Sequence, residues 1–377
     1  MAVFDQQKTS YTDTTPQIRA IGDIIQMIDP RDTPLIELIG GLNAGRDKFQ
    51  ISLNNTKVEL LEDELDPLST TANQGTTITT ATLSLTVTDA SIFQDGHVIK
   101  MDSEYSVVTA VSTANNTITL NSRAYGGTNA THATGVTIEI VGMARAEGDD
   151  ADYGPVVDIT APFNYTSIFQ KGLNVSGTQQ EFSQYGIDDE LSYQADKAIP
   201  HLLRLVERAT FEGIRQAGSA TTRRSMGGLG TFITDNTIGA GGTIVKADID
   251  GLMEKCYADG GFPDALVMNH AVANDLRAIL DTSSFVRMTQ ENTAFGMREI
   301  EFVRTQYGEL KLVISRWCPV GTAYMLTTSK VGLITYRPFR RYAIAKAGDS
   351  WKEEVVGEFT MLVANDKAHG KITGITS

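Results

Sequence analysis

The sequence predicts an α+β subunit into which a small all-β domain is inserted. Three observations carry that prediction. From Thr76 to Met143 nearly every residue is Thr, Val, Ile, Ser, Asn or Gly, with period-two alternation. Residues 187–217 carry apolar side chains at helical spacing, as one long amphipathic helix would. From Val331 onward, strand patterns run to the C-terminus.

Residues 1–43 begin polar and turn apolar, with Ile21, Ile24, Ile25 and Ile28 at helical spacing. Asp29-Pro30 stops that short helix, and Asp32-Thr33-Pro34 restarts the chain with a cap-like residue ahead of a proline at a first helical position. The segment reads as an extended arm with two short helices. Residues 44–75 read as extended and polar, with FQISL and KVELL as candidate strands and the acidic run Glu62, Asp63, Glu64, Asp66. The all-β stretch 76–143 follows, its strands ATLSLTV, HVIKM, YSVVTAV, TITL and VTIEIV separated by turn signals such as Asn115-Asn116. At about 70 residues it is long enough for a small inserted domain. Residues 144–175 again look extended, so the β stretch interrupts a two-stranded excursion.

The helix expected over 187–217 would run about 45 Å. Its acidic residues Asp188, Asp189 and Glu190 come before Arg204 and Arg208, as the helix dipole favours. Pro200 should kink it and Gly218 end it. Residues 219–244 read as a Gly/Ser/Thr-rich loop, and 246–260 as a second amphipathic helix. PDALVMN reads as a buried strand and HAVANDLRAILD as the helix after it, while FVRTQYGELKLVISRW reads as a hairpin turning at Gly308.

The bulk composition is that of an ordinary globular protein, with 41% hydrophobic and 21% charged residues among 377. The formal net charge of −14 argues against a surface that grips nucleic acid tightly. It is compatible with a wall that encloses DNA without adhering to it, because charge effects fade over about 8 Å at physiological salt. Cys256 and Cys318 stand far apart in no paired motif, which fits a reducing compartment. The N-terminal stretch lacks the basic-then-apolar pattern of a signal peptide, and no window approaches 18 consecutive apolar residues. No membrane partner is expected, and the triplet Asn164-Tyr165-Thr166 is then a chance match to a glycosylation site.

The search for catalytic chemistry is mostly negative. His97, His132, His201, His270 and His369 show no metal-ligand spacing, and there is no paired-cysteine motif, nucleophile elbow or Walker loop. Gly227-Gly228-Leu229-Gly230 lacks the strand-before, helix-after context of a phosphate loop. His270 with Asp275 could imitate a base and its orienter, but His270 fits better as a cap at a strand-to-helix junction. Glu62, Asp63, Glu64 and Asp66 could imitate paired glycosidase carboxylates. Neighbours in an extended segment point to opposite faces, so a solvated loop is the better account, and it covers Asp149, Asp150 and Asp152 as well. Arg223, Arg224, Arg337, Arg340 and Arg341 form the only basic clusters. In an acidic chain they would face a partner's carboxylates, the plain alternative being ordinary surface arginines.

The order of arm, interrupted excursion, long helix, α/β region and strand-rich tail resembles the Hong Kong 97-type major capsid proteins of tailed phages. Local stretches carry the likeness further. TDTTPQIRAIGDIIQMIDPRDTPLIELIG is similar to the family's entry segment, and ELSYQADKAIPHLLRLVERATFEG to its spine helix. YGELKLVISRWCP and GEFTMLVANDKAHGKITGI are similar to its closing strands. DGHVIKM and NSRAYGGTNATHATG resemble a β insert that some members carry. The resemblance implies an N-terminal arm over 1–43, an E-loop over 44–75 and 144–175, and an inserted β domain over 76–143. It implies a peripheral domain over 176–224 and 326–377 with spine helix 187–217, and an axial domain over 225–325. It further implies no enzyme activity and no cofactor. The subunit would form hexamers and pentamers of an icosahedral head around double-stranded DNA, assembled in the host bacterial cytoplasm and kept in the virion. Partners would be a separate scaffolding protein, a portal protein and a decoration protein, with candidate inter-subunit contacts in the arginines and acidic run named above. The same fold leaves an encapsulin-like compartment as an alternative, and the Thr-rich β stretch leaves a surface adhesin. The Lys–Asn cross-link of the family's founding member is not carried over to residues of this chain.

Overall fold

The computed structural model describes residues 32–148, 150, 158–184, 187–280, 302–346 and 348–376. The helix expected at Ile21–Ile28, and the acids Asp149 and Asp152, lie outside them. The chain forms two units, one from residues up to Leu60 with those from Pro162 onward, the other from Leu61–Ala161.

The first unit is built on two sheets. A six-stranded mixed sheet has the order Thr237–Gly242, Gly370–Ile375, Ala323–Leu326, Ala265–Met268, Glu309–Ile314, Phe302–Arg304. Ala265–Met268 and Ala323–Leu326 are buried at every position because they lie centrally, covered on both faces. Helix Lys246–Ala258 contributes Ile249, Leu252 and Met253 to one core with them, and helix His270–Leu280 contributes Val272 and Leu276. Asn269, not His270, caps the latter helix: its side-chain oxygen accepts the Ala271 N–H at 3.2 Å and its amide donates to the Cys318 carbonyl at 2.8 Å. The 219–244 loop is less irregular than its composition suggests, since Leu229–Phe232 is a helical turn and Thr237–Gly242 pairs parallel with Gly370–Ile375. Gly308 sits in the turn of the 302–314 hairpin as expected.

The second sheet is a long hairpin, Val331–Ile344 with Ser350–Val363, extended by the edge strand Ser167–Ser176, all antiparallel. Its register shifts on either side of Arg337 and before Arg340, where Pro338 removes a ladder donor. The long helix spans Glu190–Glu212, shorter than the 187–217 expected. It starts at Asp189, whose carboxylate accepts the Leu191 N–H at 3.1 Å. It ends at Gly213, where a Cβ would stand 2.4 Å from the Ala209 carbonyl and 2.6 Å from that of Met226. The glycine run 227–230 is part of this same close approach, since a Cβ on Gly228 would stand 2.7 Å from Ala209 O. The helix is continuous through Pro200. It buries Leu191, Ala195, Ala198 and Leu202 against Leu173, Val175 and Val355. FQISL is not a strand: Ala44–Phe49 is helical and ends at Gln50 in the left-handed region. Gly45 lets that helix meet the hairpin backbone, since a Cβ there would lie 3.0 Å from Gly332 C and Leu333 O.

The second unit is one antiparallel sheet in the order Ser69–Thr71, Thr137–Met143, His97–Met101, Glu104–Ser112, Thr117–Leu120, Ser84–Thr86. The sheet thus takes in a strand upstream of Thr76. Its two outer strands meet where Ala72 bridges Val87 and Thr88 N–H donates to Thr71 O, so the sheet closes on itself as a small barrel. Ile78, Leu85, Val87, Ile99, Met101 and Ile118 fill it. Asn116, in the left-handed region, turns the hairpin that Asn115-Asn116 signals. Among the described residues no helix is long and apolar enough to cross a membrane.

Candidate functional site

Three buried carboxylates organise the surfaces of this chain. The first, Glu207, lies on the long helix and is fully buried. Its two oxygens accept the backbone N–H groups of Leu35 and Ile36 at 2.9 and 3.0 Å, and Ser315 Oγ at 3.1 Å. It therefore caps helix Pro34–Leu38 from 172 residues away, where Thr33 makes no side-chain cap. Burial pushes its carboxyl up, and the N–H donors pull against that. The neighbouring Asp32 is held by Arg316 Nε at 2.9 Å, and its carbonyl by Trp317 Nε1 at 2.9 Å. Lys48 closes the other end, donating to Ile39 O, Thr328 O and Val331 O at 2.7, 2.6 and 2.8 Å. The D-T-P-L stretch thus has a physical role: it is the segment that the long helix, the 315–317 turn and the hairpin grip together.

The second, Glu358, collects two of the arginines. Arg224 donates to Oε1 at 2.5 Å and Arg337 to Oε2 at 2.9 Å, and Thr166 Oγ1 donates at 2.6 Å. Glu358 is buried while Arg337 is about half exposed. Arg341 pairs with Glu353 on the same hairpin. Arg223 and Arg340 are exposed, and among the described residues neither makes an ion pair. The five arginines are therefore not one cluster: two are anchored in the subunit, one bridges a hairpin, and two are directed to solvent. Asn164, the chance glycosylation match, is fully buried and clamps Gly227 and Met361 through both ends of its amide.

The V-A-N-D-K-A-H-G stretch is also structural. Asp366 accepts from Thr234 N, Thr234 Oγ1 and Asp235 N. His369 Nδ1 accepts the Thr327 N–H at 3.2 Å, so Nε2 carries the hydrogen that faces Ala364 O at 3.2 Å. Burial pushes this imidazole down to about 4, which keeps it neutral.

The third carboxylate, Glu104, sits in the Leu61–Ala161 unit. Arg123 meets it with Nε at 2.5 Å and Nη2 at 2.8 Å, His132 Nε2 lies 3.0 Å away, and the Ala124 and Ala130 N–H groups donate to it. Burial works to raise this carboxyl, but the Arg123, Ala130 and His132 contacts outweigh it and hold it at about 2. Asp63, Glu64 and Asp66 are exposed and Glu62 partly so, with Leu61, Leu65 and Leu68 exposed among them, Leu65 at 95%. No cluster of metal-ligating side chains occurs among the described residues. A shallow polar groove runs between strand Ser167–Ser176 and the start of the long helix.

This architecture is a phage-capsid one. The capsid of a native GTA particle aligns at a TM-score of 0.55 and 10% identity, covering 98% of this chain and 99% of that one. Chains from Mycobacterium phage Adephagia (TM-score 0.51, 9% identity, 99% of each chain) and Mycobacterium phage Cain (0.50, 12%, 98% and 99%) align over the same extent. No curated protein sequence matches the chain. The chain belongs to the SU10 major capsid protein family, whose model matches residues 7–376. It is a head-forming subunit of the virion, present in many copies of itself, with the Hong Kong 97-type fold.

Proposed function

We propose that the subunit assembles as hexamers and pentamers into a shell that encloses double-stranded DNA, and that its role is assembly alone, with no catalysis. The observation that carries this reading is the exposure of Leu61, Leu65, Leu68 and Ile159 beside an acidic run. Large apolar side chains left outward at 63–95% exposure mark surfaces that a neighbouring copy covers. Residues 1–43 act as the arm, 44–75 and 144–175 as the E-loop, and the β insert as an added contact between capsomers. Residues 176–224 and 326–377 form the peripheral domain, and 225–325 the axial domain. The acidic run meets basic groups of a neighbour, and Arg223 and Arg340 are the arginines available for a neighbour's carboxylates. Many modest contacts of this kind add by multivalency. A separate scaffolding protein guides assembly in the host cytoplasm, and portal and decoration proteins complete the head. Negative-stain microscopy of the overexpressed chain, alone and with a scaffold, tests this: closed shells or tubes are expected, and only free monomers under every condition would sink it. Nuclease-resistant DNA inside particles purified from phage-producing cells separates a DNA-filled head from a protein-filled compartment.

A further inference from the structure

Contacts between subunits do not account for the Ser/Thr-rich surface of the insert. From Leu68 to Thr88 there is no Asp, Glu, Lys, Arg or His, and from Ser103 to Ile138 the only ones are Glu104, Arg123 and His132, all buried. These stretches supply four neighbouring strands of the closed sheet, Glu104–Ser112, Thr117–Leu120, Ser84–Thr86 and Ser69–Thr71. Four of its six strands therefore present no charge to solvent, in a chain with 46 acidic and 32 basic residues. They present hydroxyls instead, from Ser69, Thr71, Ser84, Thr109 and Thr119, with Thr88 just beyond the strand ends. Ser84 stands opposite Thr119, Thr109 Oγ1 donates to the Thr119 carbonyl at 3.3 Å, and the Thr71 and Thr88 hydroxyls lie 2.8 Å apart. The rim of this wall is a fastened loop. Tyr125–Asn129 is exposed throughout, Tyr125 at 48%. At its two ends the Ala124 and Ala130 N–H groups donate to Glu104 at 3.1 and 2.9 Å, and Ala124 is held at φ +63°. Tyr125 N–H donates to Tyr105 O at 2.7 Å, on one wall strand, and Asn129 Nδ2 to Thr80 O at 2.9 Å, in the turn before another. Three buried ionisable groups thus fix a loop that adds no side chain to the core, and fixing it in advance removes an ordering cost from binding. The other two strands differ. His97–Met101 and Thr137–Met143 carry Lys100, paired with Glu139 at 3.6 Å, and the exposed Val141 and Met143. That side has the mixed charge and apolar groups of a contact between copies.

We propose that the charge-free wall and its rim loop bind a neutral polysaccharide. The chemistry selects this class. Nucleic acid calls for cations, and the wall shows none. A protein partner is held mainly through Trp, Tyr and Arg, while Ser and Thr are under-represented where binding energy concentrates. A sugar hydroxyl is donor and acceptor at once, as are those of Ser and Thr, so the two arrays satisfy each other in either sense. Tyr125 adds a flat apolar body with a polar tip, which suits the C–H face of a sugar ring, and Thr128 and Asn129 beside it are adaptable hydrogen-bonding groups. One such contact is weak. Repeated on the many copies of a shell, it gains roughly 10²- to 10⁴-fold in avidity.

The test passes purified particles of the full chain over immobilised dextran, mannan and galactan, with dextran sulfate as the charged control. Binding to at least one neutral polymer is expected, competed by its free oligosaccharides and unchanged between about 50 and 500 mM NaCl. Thr119→Asp, which puts a charge in the wall, and Tyr125→Ala, which removes the ring at the rim, should each weaken it about tenfold or more. Lys100→Ala, on the opposite side, should leave it unchanged. If Thr119→Asp unfolds the insert, Thr109→Asp on the neighbouring strand repeats the test. Absence of binding to all three neutral polymers would overturn the proposal, as would binding that both the wall and the rim variants leave intact. Binding to dextran sulfate alone, abolished by salt, would overturn it too. Folded Thr119→Asp subunits that no longer assemble would assign the wall to a second copy instead.

Discussion

Glu104 and Glu207 are both buried carboxylates, and the contrast between them is the contrast between the two units. Glu104 draws Arg123 and His132 from 19 and 28 residues away. Glu207 draws Leu35 and Ser315 from 172 and 108 residues away, and Glu358 draws Thr166 and Arg224 from 192 and 134. The insert closes its own sheet around its own core, while the body is sewn from segments scattered over the chain. Leu60 N–H donates to Pro162 O at 3.0 Å, so the chain leaves the body and re-enters it at one point. The insert therefore has what an autonomous domain needs, and the body must find its distant partners before it gains from them.

The largest expected effect tests that autonomy. Glu104→Ala strands Arg123, buried with a 2% exposed side chain, and should cost about 3–5 kcal/mol. The cost should fall wholly on residues 61–161, as a lowered urea midpoint both for that fragment alone and for one transition of the full chain. A single transition for the full chain, shifted as a whole, would mean that the two units fold as one.

Acid should separate the units by pH. The folded Glu104 carboxyl lies at about 2, below its ordinary 4.5. Its contribution is present above 4.5 and is lost as pH falls toward 2, about 3 kcal/mol over that window. His369, in the body, is depressed from 6.5 to about 4, so the body loses a similar amount, about 3 kcal/mol, as pH falls from 6.5 to 4. Glu207 is raised and works the other way: its contribution is fully present below 4.5 and is lost as pH rises through its folded value. The body should thus soften at milder acidity than the insert, and His369→Gln should abolish that early loss. Hydrogen exchange at pH 5 and pH 3 reads both. Earlier loss of protection in the insert would contradict the assignment.

A smaller effect is expected at Glu207. Glu207→Ala leaves the buried Leu35 and Ile36 N–H groups without acceptors, at about 1–3 kcal/mol for each such group, less the relief of removing a buried charge. A net loss of about 2 kcal/mol is expected, read as faster proteolysis of the segment around Pro34 with the insert untouched. Equal loss in both units would show that the entry segment is no separate attachment.

The same contrast explains what could be read from the sequence. Period-two alternation and Asn115-Asn116 reveal the insert because its structure is local. Helical spacing reveals the long helix for the same reason. The C-terminal end of that helix is not legible because Gly213 stops it by meeting Met226, a contact no local pattern announces. Ala44–Phe49 was hidden because its helix depends on Gly45 fitting the hairpin. The arginines looked alike by charge, yet Arg224 and Arg337 are held by Glu358 and Arg223 is not. The role of Glu207 is not legible in the sequence because its partners are the backbone of a segment 172 residues away. One signal was available, its place beside Val206 and Thr210 on the side of the helix that closes on the body; the cap-like Thr33 ahead of Pro34 pointed the other way, and it makes no side-chain bond.

Arg341 supplies the smallest effect and decides whether locality or burial governs these costs. Its pair with Glu353 spans 12 residues, closer in sequence than any side-chain hydrogen bond of Glu104. The pair is also open to solvent, at 42% and 16% side-chain exposure, where Coulomb attraction is screened and two long side chains must be held still. If sequence distance set the worth of an ion pair, Arg341→Ala would cost as much as Glu104→Ala. If burial does, it should cost under about 1 kcal/mol and lose even that in high salt. A measured loss of several kcal/mol would place Arg341 with the structural anchors. The small loss expected leaves it free to be redirected to a neighbour's carboxylate when the shell closes.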